Sequence, residues 1–193
     1  DPRTRRCGAG VASCAYIPSS IGEIPLVTGG IVSSIGGPQT VPRAELTAVC
    51  LALEVNKAPH LTIVVDASYI IRGFNRGPRN LTKFSNPDLW SRFWDLVFER
   101  GGRRTITLEK IKSHLSTPEI LSGVAQFGDV VLNQAADTFA EIASSEAQLP
   151  QETLKGFGFA DARTWKVQKR LIAVNEIALT QTRAQRPPKG THR

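Results

Sequence analysis

The sequence contains no methionine, and it has only three cysteines, three histidines and two tyrosines in 193 residues. Cys7, Cys14 and Cys50 are odd in number and lack the close pairs of a zinc site or a disulfide framework, so they read as small hydrophobes suited to a reducing interior. Long apolar runs are also missing. "LTIVV" and "AVCLAL" fall far short of the roughly 18 residues of a membrane span, and no signal peptide opens the chain. We expect a soluble, intracellular chain that avoids membranes, its compartment left open. With no methionine at the start or within, we also expect a fragment of a longer translation product.

Acidic residues nearly vanish towards the end. Residues 163–193 hold eight Lys or Arg against Glu176 alone, whereas residues 1–162 hold sixteen of each sign, so the whole +7 excess belongs to the tail. Such a tail either neutralises phosphates or is a solvated terminus, and charge alone leaves both open.

What is present suits one α/β domain with an appendage: 41% of the residues are hydrophobic, enough for an ordinary core. "GAGVASCAYI" and "LVTGGIVSSIGG" predict a hairpin around "PSSIGEIP". "VPRAELTAVCLALEV" sets Leu46, Val49, Cys50 and Leu53 at helical spacing. "LTIVVD" lacks alternation, which predicts a central strand covered on both faces. A short helix "ASYIIRGF" and a loop follow, then "NPDLWSRFWDLVFERGG", a helix with Pro87 in its first turn and a glycine pair at its end. "RTITLEKIK" alternates as a strand, "SHLSTPEILSGVAQFGD" reads as a loop, and "VVLNQAADTFAEIASSEA" as a last helix. The domain is expected over residues 1–143. A linker over 144–161 and a basic amphipathic helix with a disordered tail over 162–193 complete the chain.

Three acids stand where carboxylates are unexpected. Glu45 shares a helical face with Ala48, Val49 and Ala52, with no basic partner at i+3 or i+4. Asp66 ends the central strand, and Asp137 follows small residues in the last helix. Taken singly, each has an ordinary reading: a partly exposed helix residue, a helix cap, a surface acid. Taken together, carboxylates meeting at a strand end repel unless divalent cations lie between them, and oxygen-only donors suit magnesium or manganese. "IIRGFNRGPRNLTKF" holds Arg72, Arg76, Arg79 and Lys83 with no acid, interleaved with Phe74 and Phe84. This is the pattern of a strand-gripping surface, or of a solvated basic loop.

Order gives the acids further meaning. "PRAELTAVCLAL" resembles the R-x-E-L-x-A helix of type 1 ribonuclease H, "VVDASYIIRGF" its D-S-x-Y-V junction, and "NPDLWSRFWDLV" its D-L-W helix. "EKIKSHLS" is similar to the family's K-x-H segment, and "NQAADTFAEIA" to its N-x-x-A-D-x-L-A helix. The resemblance runs from about Gly8 to Ala143. It implies an α/β, RNase H-like fold with a mixed five-stranded sheet. It also implies hydrolysis of the RNA strand of RNA–DNA hybrids with two Mg2+ or Mn2+ ions, leaving 5′-phosphates. Glu45, Asp66 and Asp137 are then metal ligands, and His114 assists proton transfer. Trp90 and Trp94, four apart on one helix, read as core, yet family members hold an aromatic near the position of Trp90 beside the backbone. Trp90 and Lys112 therefore join the candidate nucleic-acid contacts.

Two departures matter. The family's first aspartate, in a D-G-S at the end of an initial strand, has no counterpart. Asp1 is too close to Gly10, so we expect the first strand to be missing, the fragment's activity to be reduced, and a parent such as a reverse transcriptase or retrotransposon polyprotein. The stretch between His114 and Asp137 is long and brings Asp129 as a competing acid. The alternative is a catalytically silent domain of the same fold that binds nucleic acid or a protein.

Overall fold

The computed structural model describes residues 3–20, 22–112, 118, 119, 122 and 126–184. Two compact units divide after Gln148. The first opens with strands β1 (Gly8–Ser19) and β2 (Gly22–Ser34), paired antiparallel with a bulge between Ser13 and Cys14. Helix α1 (Val41–Val55), strand β3 (Leu61–Val65) and helix α2 (Ser68–Arg76) follow. Helix α3 (Pro87–Glu99), strand β4 (Ile106–Lys110) and helix α4 (Phe127–Glu146) complete the unit.

The main core forms where α1, α2 and α3 meet β3. The helical stripe Leu46, Val49, Cys50 and Leu53 packs on Trp90, Phe93, Trp94 and Val97 of α3, with Ile70 and Phe74 of α2 and Val65 of β3. Aromatic rings lock this region. Phe74 stacks on Trp94 at 5.8 Å and meets Phe93 edge-on at 6.0 Å. Such offset and edge contacts add to the burial of large apolar surfaces.

Arginines fasten both ends of α1, which has no acid in its first turn and no base in its last. At the start, the Arg43 guanidinium donates to the Gly36 carbonyl (2.6 Å) and to both carboxylate oxygens of Asp88 on α3 (3.0 and 2.5 Å). At the other end, Arg100 donates to the carbonyls of Leu53, Asn56 and Ala58. It thereby satisfies acceptors that a helix terminus leaves without intrahelical partners.

The hairpin packs differently, through small residues. A Cβ on Gly10 would lie 2.0 Å from the Ala136 carbonyl oxygen, and one on Gly8 would lie 2.2 Å from that of Ala140, so only glycine lets β1 approach the α4 backbone this closely. Cys7 and Ala9 point the other way and pack with Ile35 and Ala44 of α1. Successive β1 side chains thus alternate between α4 on one face and α1 on the other.

The sheet departs from expectation. Among the described residues, four strands form two separate two-stranded sheets, β1–β2 and a parallel β3–β4, where one mixed sheet lacking its first strand was expected. Strand β3 was expected to be central, but only Val65 of its five residues is buried. It has a partner on the β4 side alone, so its apolar composition is not fully covered.

The second unit also differs. No linker spans 144–161: α4 continues to Glu146, and helix α5 runs from Gln151 to Ala184. Glycines 156 and 158 lie inside α5, since a helical glycine costs only about 1 kcal/mol relative to alanine. The Pro150 carbonyl accepts the first intrahelical bond, from Leu154 (3.2 Å). The tail from Gln185 lies outside the described residues. Among those residues, no helix is long and apolar enough to cross a membrane.

Candidate active site

Each of the three acids reaches the site from a separate element. Glu45 lies in the first turns of α1, whose start Arg43 holds against α3. Asp66 follows the last residue of β3, where the chain turns into α2. Asp137 lies on α4 and accepts a hydrogen bond from the Asn133 amide (3.4 Å), one helical turn earlier. All three line one cavity of about 1550 Å3 between the two sheets.

Electrostatics brings them into one group. Burial first, and then the charges of Asp66 and Asp137, push the Glu45 carboxyl up to about 7. Burial is the larger cause, and the negative charges of Asp66 and Asp137 add to it. The three named acids line the same cavity.

Their chemistry, though not their spacing, suits a hard dication. The donors are all oxygen, and their mutual repulsion would be relieved by magnesium or manganese. Yet among the described residues no group of three or more His, Cys, Asp or Glu side chains lies close enough together to hold a metal ion. The acids sense one another without forming a closed cage.

Two residues overlooked in the sequence hold this region together. The Tyr69 hydroxyl donates to the Pro42 carbonyl, linking the first turn of α2 to the first turn of α1. Burial, and then the Glu45 charge, push the Tyr69 phenol upward, so the half-buried ring lies within electrostatic reach of the acid. Gln39 joins the neighbouring turn to β1: it accepts from the Cys7 amide (3.0 Å) and donates to the Ile35 carbonyl (2.9 Å). Their signal was faint, because a tyrosine three residues after an aspartate and a glutamine before a helix are both common.

Other candidates divide. His114 lies outside the described residues. Asp129 also lines the cavity, about two turns before Asp137 on α4; burial raises its carboxyl, and its charge, after burial and Cys14, pushes up the Tyr16 phenol on β1. Arg72, Arg76, Arg79 and Lys83 are exposed on α2 and the turn after it, with the Arg76 guanidinium 5.3 Å from the Phe84 ring centre. Arg103, not among the expected contacts, lies over Phe74 at 4.7 Å. Lys112 is exposed but ion-paired with Glu119. Trp90 is corrected to a core residue: it is 1% exposed and packs between Phe84 and Phe93, leaving no ring face for a nucleic acid.

A family model for RNase H matches residues 5–145. No curated protein sequence matches the chain. Among solved structures, the chain is similar to the PFV RNase H domain determined in solution, at 18% identity and a TM-score of 0.55, over 74% of this chain and 84% of that one. This likeness is one of fold. A looser likeness, with a TM-score of 0.47 and 16% identity, is to the prototype foamy virus protease-reverse transcriptase; it covers 75% of this chain and 21% of that one. Because the family match spans most of the sequence and the acid-bearing elements α1, β3 and α4 all fall inside it, the chain belongs to the RNase H family, whose activity is nuclease action on RNA–DNA hybrids.

Proposed function

We propose that the chain is a metal-dependent endonuclease that hydrolyses the RNA strand of RNA–DNA hybrids, with Glu45, Asp66 and Asp137 as the residues that hold the cations. The observation that carries this reading is the electrostatic coupling of Glu45 to Asp66 and Asp137, three acids from three elements facing one cavity. Bound Mg2+ or Mn2+, two ions in all, would supply activation of water and stabilisation of the departing oxygen. The residues of the chain do the remainder. Glu45 and Asp66 keep negative charge at the end of β3, Asp137 faces them from α4, and Tyr69 fixes the relation between the first two. His114 moves a proton, and Arg72, Arg76, Arg79 and Lys83 grip the phosphate backbone.

The open spacing of the acids supports low activity in the chain as it stands. It also favours a second reading, a domain that binds hybrid without cutting it. Cleavage of an end-labelled RNA–DNA hybrid in Mg2+ and in Mn2+ separates the two. We expect slow cleavage leaving 5′-phosphates and, for Asp66→Asn and Glu45→Gln, a loss of about a hundredfold or more, corresponding to roughly 3 kcal/mol of barrier. Cleavage by Asp66→Asn at the unaltered rate would overturn the proposal, whereas binding without cleavage by the unaltered chain would favour the silent domain.

A further inference from the structure

Helix α5 carries apolar surface that hybrid cleavage does not use. Trp165, Val167, Leu171, Ile172 and Val174 are each half exposed or more, Trp165 at 58% and Val174 at 62%. Folded chains seldom leave a large contiguous apolar patch in water unless a partner covers it. A helix turns about 100° per residue, which sets these five side chains on one half of α5, an arc of about 180°. Over residues 154–177, Leu154, Phe157 and Ala160 extend this half, and Asp161 is its one charged position.

The other half is cationic. Lys155, Arg163, Lys166, Lys169 and Arg170 are exposed and fall within an arc of about 120°, with Glu176 at its border. Phe159 and Ile177 share this half towards its two ends. Trp165 ends the apolar half, and Lys169 begins the cationic one with its Nζ 5.2 Å from the Trp165 ring centre. Arg163 lies next to the opposite border, beyond Val174.

Two kinds of partner would cover only part of this helix. A second copy of α5 would bury the narrow seam of a two-stranded coiled coil, not half of the circumference. A nucleic acid would set phosphates on the cationic half and leave the apolar half in water. An anionic lipid surface takes both halves. Apolar side chains sink to the boundary of headgroups and acyl chains, tryptophan rests at that boundary, and flanking lysine and arginine reach the headgroups. Such a surface also sets no limit on length, and residues 154–177 extend over about 36 Å. Among the described residues no helix is long and apolar enough to cross a membrane, but lying on one requires only a single apolar face.

We propose that α5 is a membrane-surface helix, which lies on anionic lipid with the half that bears Trp165, Leu171 and Val174 turned towards the acyl chains. No residue of the acid site takes part, so this role is independent of hybrid cleavage. The chain then avoids crossing membranes but not their surface.

The 193-residue chain is tested against vesicles of phosphatidylcholine alone and of phosphatidylcholine with phosphatidylserine, by co-sedimentation and tryptophan fluorescence. Trp90 and Trp94 are 1% and 2% exposed, so a blue shift on adding lipid reads Trp165. We expect that shift, and binding about tenfold or more tighter to the anionic vesicles. The triple variant Lys166→Gln, Lys169→Gln and Arg170→Gln should weaken this binding about tenfold or more, and so should Leu171→Gln with Ile172→Gln. Glutamine is a good helix former, and unchanged far-ultraviolet circular dichroism will show that α5 persists in both variants. Absence of binding to anionic vesicles, equal binding to both kinds, or unaltered binding by either variant overturns the proposal. So does a blue shift that appears without lipid as the protein concentration rises, which assigns the apolar half to a second copy. Should the triple variant lose affinity for an RNA–DNA hybrid and keep its affinity for vesicles, the cationic half belongs to nucleic acid and the proposal falls.

Discussion

The two sides of α1 are built on opposite packing rules. Towards α3 the helix meets large interlocked rings, and arginines tie down both of its ends. Towards the hairpin and α4 the contacts are between glycine, alanine and backbone, with a cavity beside them. The first arrangement resists deformation through buried apolar surface. The second depends on close fit, and among the described residues each of its strands has one strand partner. The acids straddle the divide, Glu45 and Asp66 on elements of the ring-packed side and Asp137 on the helix that rests on the hairpin.

The sharpest way to break the comparison is to empty the ring-packed side. Phe93 is fully buried among Phe74, Trp90 and Trp94, so Phe93→Ala should cost about 3–5 kcal/mol in urea unfolding and abolish cooperative folding of the first unit. On the other side, Gly10→Ala forces a methyl group into the Ala136 carbonyl and should cost about 1–3 kcal/mol. Exchange protection should then fall in β1, β2 and α4 while α1 and α3 stay protected. Equal loss everywhere would mean that the two sides are one cooperative body.

Arg43→Ala should come next, at about 1–2 kcal/mol by thermal unfolding. It removes donors from the Gly36 carbonyl and from Asp88, whose side chain is 59% exposed and therefore well screened. The smallest effect is a pH dependence. Without divalent cations Glu45 titrates at about 7 instead of its ordinary 4.5, so between these values the folded chain holds more protons than the unfolded one. Stability from this group is complete below about 4.5 and is lost as pH rises through about 7. In chelator, the melting temperature should fall across that window more in the unaltered chain than in Glu45→Gln. Parallel profiles would show that the acids are not coupled.

Residues with strong local signals were legible in the sequence. Pro87 and the glycine pair bracket α3, the apolar stripe marks α1, and "VVD" marks the end of β3, because each depends on chemistry within a few positions. The acids were singled out through motif order. What the sequence concealed depends on partners distant along the chain. Trp90 offers the same indole whether it faces solvent or Phe93, and only packing decides that it is buried. Arg43 gains its role from Asp88, forty-five positions away. The separation of the sheets is equally invisible, since an apolar run such as "LTIVV" reads as central whether or not a neighbour stands beside it. In α5, glycines 156 and 158 cost the helix only about 1 kcal/mol each, too little to make the expected linker over 144–161.

The hydrogen bond from Tyr69 to the Pro42 carbonyl has one more consequence. By tying the turn that bears Asp66 to the turn that precedes Glu45, it makes those two acids a fixed jaw, while Asp137 rides on a helix gauged by two glycines. The span of the bite is then set by how far α4 stands from β3, and a residue with no chemistry of its own, such as Gly10, becomes a calibration point for the active site.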